Sequence, residues 1–193
     1  MKMKGKTLII VICLVLIVMA ASMGTIAYFM DAESALNTFT VGSVKITMDE
    51  KDVDDSTKDA DRDTANKYHL IPGSEYEKDP TIHVDAQSSK CWLFVKVVNP
   101  FAAIEGENTI AEQMAEKGWT ELKGEGVFAY KEAVDAGADV VVFEKLTISG
   151  ETENGTLAKL EDESITVTAY AVQEAGFGTA AEAWTTAKAQ IEK

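Results

Sequence analysis

His69 and His83 are the first residues to weigh for chemistry, because an imidazole carries protons and binds metals near neutral pH. They stand 14 residues apart across Pro72-Gly73, and neither belongs to an HExxH pair. A shared metal is geometrically open to them, but the spacing does not call for one. Two surface or strand-face histidines account for the pattern as well. Cys91 is the lone cysteine of the body, since Cys13 lies in an apolar leader. It reads as a small buried hydrophobe, the alternatives being an intermolecular bridge or a reactive thiol. The serines lack a G-x-S-x-G elbow, and the glycines occur singly, without phosphate-loop spacing. Acids are so abundant that a close pair of carboxylates carries no information. No catalytic residue, metal ligand or cofactor is assigned, and the chain is expected not to be an enzyme.

The densest charge is the acidic loop expected over residues 49–67, whose first part, DEKDVDDSTKDADRD (49–63), holds eight acids against three bases. Asp52, Asp54 and Ser56 alternate as oxygen ligands of a calcium loop would. However, Thr57 stands where the EF-hand needs glycine, and Asp63 where it needs glutamate. A solvated loop is the simpler account.

The elements that position these residues are mostly short strands. Phe39 and Val41 alternate with polar neighbours, then Val44, Ile46 and Met48 alternate in the opposite parity. A strand bent or bulged at Gly42-Ser43 would let both halves face one core. Pro72-Gly73 predicts a tight turn, and Ile82 and Val84 a half-buried strand. CWLFVKVVN (91–99) is apolar on both parities, which suits a central strand covered on both faces, or one with a face in a subunit contact. Further strands are predicted at Trp119–Leu122, Val127–Tyr130, Val140–Ile148 and Ile165–Gln173. Thr109-Ile-Ala-Glu112 and Thr179-Ala-Ala-Glu182 are capping boxes. The first opens a short helix, and the second opens a C-terminal helix with Ala180, Trp184, Ala187 and Ile191 on one stripe. About seven short strands, with helices only as insertions, predict an all-β fold: an antiparallel, jelly-roll-like β-sandwich with short helical insertions and a C-terminal helix.

The N-terminus has the order of an export signal. Lys2, Lys4 and Lys6 precede the apolar Leu8 to Ala21, and Ser22, Gly24, Thr25 and Ala27 follow. Thr25 and Ala27 place small side chains before a cut between Ala27 and Tyr28. Residues 1–27 are thus expected to be a signal peptide, and 28–193 one secreted domain. Leu8 to Ala27 is also 20 residues long, about 30 Å as a helix, enough for an uncleaved anchor. Either way the body lies outside the cytoplasm, since the lysines stay inside. Without the leader the chain carries 15 basic and 32 acidic residues, a formal charge of −17. Such a surface repels phosphates, so nucleic acid is not an expected partner. Membrane contact is expected only through the uncleaved leader.

Three stretches together carry a resemblance. GTIAYFMDAESALNTFTVGSVKIT joins a small-residue cut site, an aromatic, an acid and a strand. LIPGSEYEKDPTIHV fits L-x-P-G-x-x-x-x-K-D followed by a strand, and ITVTAYAVQEAGF is like a closing strand. The chain resembles the TasA/camelysin family of Gram-positive surface and biofilm-fibre proteins, whose signal is cut by a SipW-type signal peptidase. Residues 100–160 take no part in the likeness. The resemblance implies a jelly-roll-like sandwich that assembles with itself, with a minor surface protein to anchor or nucleate the fibre. Residues 28–37 would be an assembly segment freed by cleavage, with Tyr28, Phe29, Leu36, Phe39 and Val41 pairing along a neighbour's sheet edge. The expected location is secreted, at the cell surface or in the matrix. A camelysin-like surface metalloprotease and a monomeric secreted glycan-binding module are the alternatives, though the missing HExxH weakens the first.

With a charge of −17 to screen, assembly should accelerate at lower pH or with divalent cations. Light scattering at pH 7 and pH 5, with and without calcium, checks this, and equal rates throughout would contradict it.

Overall fold

The structure is a computed structural model that describes residues 30–34, 37–41, 44–53, 62–64, 66, 68–160 and 163–191. The leader, the Ala27–Tyr28 junction, Phe29 and Leu36 lie outside the described residues.

In chain order the strands are β1 (Met30–Ser34), β2 (Asn37–Val41), β3 (Ile46–Lys51), β4 (Arg62–Asp63), β5 (Glu75–Glu77), β6 (Thr81–Val84) and β7 (Cys91–Val98). Helix α1 (Ile110–Glu116) follows, then β8 (Trp119–Leu122), β9 (Val127–Tyr130), β10 (Asp139–Val141) and β11 (Lys145–Thr147). Helix α2 (Asn154–Leu157), β12 (Thr166–Gln173) and helix α3 (Ala180–Ile191) complete the described chain. The larger sheet runs β2-β1-β12-β7-β9-β8 and the smaller β10-β6-β3-β4, with β5 and β11 as a separate ribbon. All the ladders are antiparallel. The fold is therefore the expected antiparallel β-sandwich with short helices and a C-terminal helix.

Strand β7 explains most of the packing. It forms eight residue pairs with β12 and is flanked on its other side by β9. Cys91, Leu93 and Val95 join Val167, Ala169 and Ala171 in the main core, against Val44, Ile46, Ile82 and Val84 of the smaller sheet. Phe94 faces the other way, into a second core with Val172, Ala183, Trp184 and Ala187. The ring of Trp184 lies 5.1 Å from that of Phe94 and 5.4 Å from that of Tyr170. The apolar run on both parities is thus explained as far as Val95: the sandwich covers one face and α3 covers Trp92 and Phe94 on the other, while Lys96 and Val98 beyond them are exposed. Each such buried aromatic or branched side chain contributes about 1.5–3 kcal/mol. Trp92 lies on the α3 side, and its indole N–H is buried without a partner among the described residues.

The first capping box is realised in full and the second in part. Thr109 and Glu112 form a reciprocal capping box on α1. At α3, Glu182 N donates to Thr179 Oγ1 at 3.3 Å, while the Glu182 carboxylate accepts from Gly178 N at 3.0 Å. That carboxylate reaches one residue further upstream than in a reciprocal box. Glu125, in the β8–β9 turn, accepts from Lys188 and from Trp184 Nε1, tying α3 to the larger sheet.

The middle region adds β8 and β9 to the larger sheet and packs Ile110 and Met114 of α1 into the main core. Gln113 is buried on α1, and its amide makes four hydrogen bonds. Nε2 donates to the carbonyls of Asn108 and Lys145, and Oε1 accepts from the N–H groups of Glu144 and Lys145. Trp119 Nε1 donates to the Val141 carbonyl at 3.0 Å. At Pro72-Gly73, Ser74 N donates to Ile71 O at 3.2 Å and Gly73 takes φ 78°, a turn conformation that favours glycine.

Three expectations are corrected. Residues 38–48 are not one bent strand: β2 ends at Val41 in the larger sheet and β3 begins at Ile46 in the smaller. The parity slip coincides with the passage of the chain from one sheet to the other. Residues 140–148 also divide, into β10, paired with β6, and β11, paired with β5, although the buried Val140, Val142, Leu146 and Ile148 keep one parity throughout. The acidic stretch also starts later than residue 49, because β3 runs to Lys51, and Arg62–Asp63 returns to pair with Glu50 and Lys51.

Replacing Trp184 by alanine should cost about 3–5 kcal/mol, the usual range for deleting a buried tryptophan. Urea unfolding of the two proteins measures it. A loss under 1 kcal/mol would mean that α3 is not a structural cover.

Candidate functional site

The densest array of charged side chains lies where β3, β4, β6 and β10 meet. Its local cause is the alternation along β3 and β6. Ile46 and Met48 point to the core, so Thr47 and Asp49 fall on the outer face, and His83 falls there between the buried Ile82 and Val84. Register places His83 opposite both Thr47 and Asp139, and Thr81 opposite Asp49.

On this face Arg62 is the hub. Nε donates to Asp49 Oδ1, Nη1 to Asp79 Oδ2 at 3.0 Å, and Nη2 to Thr81 Oγ1 at 3.0 Å and to the carbonyls of Asp49 and Asp79, each at 3.2 Å. Asp79 also accepts from Lys51 N at 2.6 Å. The imidazole of His83 lies between two carboxylates: Nε2 is 3.0 Å from Asp49 Oδ1, and Nδ1 is 2.6 Å from Asp139 Oδ1.

Burial opposes charge on both members of the Asp49–His83 pair, but the hydrogen bonds outweigh it. Arg62 and His83 hold the Asp49 carboxyl below its usual value. Asp49 and Asp139 hold the His83 imidazole above its own. The raised histidine stabilises the fold fully below its unfolded pKa, and that contribution fades as pH rises through the folded one. The lowered aspartate contributes above its unfolded pKa, and its contribution fades as pH falls through the folded one. The pair is strongest between those limits.

A second ion pair lies on the core-facing parity of β3. Glu50 and Lys78 are mostly buried and meet at 2.6 Å. Glu50 Oε1 also accepts from Asn66 N at 3.1 Å, and Lys78 Nζ sits 5.5 Å from the centre of the Tyr68 ring. Asn66 donates to Lys51 O at 2.9 Å and accepts from Val53 N at 2.8 Å. The two ends that lead into residues 54–61 are thereby held together, by Arg62 outside and by Glu50–Lys78 inside. The array is an ionic latch, and what it can do chemically is gain or lose protons.

His83 belongs to the latch, whereas His69 is exposed, its carbonyl accepting from Tyr76 Oη at 2.9 Å. Both ring nitrogens of His83 are taken by carboxylates, so it is not paired with His69. Cys91 is fully buried, and burial pushes its thiol up to about 12, which leaves it protonated and unreactive near neutral pH. Among the described residues no three of His, Cys, Asp and Glu are arranged to hold a metal ion. Of the calcium-loop residues, Asp54, Ser56 and Thr57 lie outside the described residues, and Asp63 is in β4 opposite Glu50.

Of the proposed assembly residues, Tyr28, Phe29 and Leu36 lie outside the described residues. Phe39 and Val41 are in β2, opposite Ala32 and Met30 of β1, and β1 pairs with β12 of the same chain. Sequence reasoning missed the latch itself. Lys78-Asp79 stood in a recognised stretch, but Lys78 meets Glu50 across 28 residues and Asp79 meets Arg62 across 17. The available signal was the polar face of β6, Thr81 and His83.

Fold and array together define an all-β sandwich with a charged latch on its smaller sheet. Compared with known proteins, the chain matches no family model, no curated protein and no solved structure.

Replacing Lys78 by methionine strands a buried carboxylate and should cost about 3–5 kcal/mol, most of which is recovered when Glu50 is replaced by leucine as well. Denaturant unfolding of both single variants and the double variant tests the coupling. Simple additivity would show that the two charges are not paired.

Proposed function

We propose that this chain is a secreted structural protein of the TasA/camelysin kind. After its leader is cut at Ala27–Tyr28, it assembles with copies of itself into surface or matrix fibres. The observation that carries the reading is the position of β1 and β2. The strand nearest the leader is part of a hairpin at the edge of the larger sheet, joined to β12 by five backbone residue pairs. A ladder of this kind binds through main-chain groups. The same pairing can therefore be made within one chain or between two, and exchange of the hairpin links one subunit to the next. Edge pairing is normally suppressed by charge and proline. Residues 28–41 contain no proline and only Asp31 and Glu33 as charges.

A leader still attached to Tyr28 occupies the start of this segment, so cleavage becomes the step that permits assembly. The signal peptidase is then a partner in timing as well as in export. The charge of the mature chain keeps subunits soluble and apart until the segment is free.

Protein beginning at Tyr28 should form fibres visible by negative-stain microscopy, while protein carrying several extra residues before Tyr28 should remain small on size exclusion. Fibres from both would remove the role of cleavage. A monomer from both, at high concentration and across pH and calcium, would overturn the reading.

A further inference from the structure

We propose that His83 is a proton-operated staple that fastens edge strand β10 to the smaller sheet, closed when the imidazole carries two protons and open when it carries one. The inference does not depend on the assembly reading.

A neutral imidazole has one N–H and one lone pair, whereas imidazolium has two N–H groups. The two ring nitrogens of His83 face carboxylate oxygens at 2.6 and 3.0 Å, and ionised carboxylates only accept. Both contacts can be hydrogen bonds only if both nitrogens carry protons. Removing one proton sets a lone pair against a carboxylate, and one contact must open.

Burial decides which contact opens. The Asp139 side chain is 67% exposed and that of Asp49 is 30% exposed. Asp139 can exchange the histidine for water at little cost. Asp49 cannot do so easily, because it is also held by Arg62. The single remaining N–H therefore stays with Asp49, and the arm to β10 is the one released.

The arm adds a side-chain tie to strand β10, the outermost strand of its sheet. Its ladder to β6 pairs Asp139, Val140 and Val141 and is continued by backbone hydrogen bonds from Val84 N to Ala138 O, from Gly137 N to Val84 O and from Val142 N to Pro80 O. The surrounding charges favour the closed form. Asp49 faces the ring from β3 and Asp139 from β10, and both raise its proton affinity against the opposing effect of burial. Arg62 from β4 lies beyond Asp49 and divides its guanidinium between Asp49 and Asp79, the latter from the segment before β6. Thr47 occupies the neighbouring position on β3. Further along the same face, Lys45 and Asp85 answer each other at 3.9 Å. The staple closes toward lower pH, the condition in which the carboxylate-rich surface is also least repulsive.

Hydrogen exchange on the full chain in mild detergent, corrected for intrinsic rates, tests the staple. Protection of the β10 amides should fall at least about tenfold from pH 5.5 to pH 8.5, the size expected for losing a charged hydrogen bond, while amides of β7 and β12 keep theirs. His83→Gln should be pH-independent in β10, at the low protection of the open form. Asp139→Asn retains the ring and weakens only the outer arm. It should lower the His83 titration midpoint seen by NMR and flatten the β10 response. Equal protection of β10 at both pH values in the natural chain would overturn the proposal, as would an unchanged pH response in Asp139→Asn.

Discussion

From Cys91 to Val95 both faces of β7 are covered, and the rest of the molecule is arranged to satisfy that constraint. A strand with Leu93 and Val95 on one side and Phe94 on the other cannot face water on either. One side requires a second sheet, supplied by β3 and β6. The other requires a cover, supplied by α3 through Trp184. The two cores share the backbone of β7 and its ladder to β12. Within residues 100–160 β9 pairs with one edge of β7, and β12 then pairs with the other edge before the covering helix forms. The alanines at 169 and 171 let the smaller sheet approach at the centre.

The smaller sheet has short ladders, and charge supplements its buried core. Strand β10 has three residues and β4 two. The same strand, β3, carries an ion pair on each of its faces near its end. Glu50–Lys78 is shielded from water, which makes breaking it costly. Asp49–Arg62–Asp79 is more exposed and closer to screening, but Arg62 gains from geometry because its planar fork meets several acceptors at once. The inner pair supplies permanence, while the outer array, with His83 in it, responds to protons.

The hairpin β1–β2 stands at the opposite extreme. It contributes an edge to the larger sheet through main-chain pairing, a bond that does not depend on which copy supplies the strand. A body held by two buried cores and a latch can keep its shape while such an edge is exchanged. This division of labour between a fixed body and a transferable edge is what the proposed assembly requires.

Much of this was legible in the residue order. Strand β7 announced itself by apolar residues on both parities, β12 by its alternation, and α1 and α3 by their capping residues. The burial of Cys91 followed from its neighbours. These are local facts, set by periods of two and 3.6 and by short-range hydrogen bonds. The points where the chain changes sheet, after Val41 and after Val141, were not legible. A local pattern records that a side chain is buried, but it does not record which sheet buries it. The latch was hidden for a related reason. In a chain with 32 acids, composition cannot say which carboxylates will be met by Arg62, Lys78 or His83. Only the register of β3, β4, β6 and β10 brings those distant residues within hydrogen-bond reach.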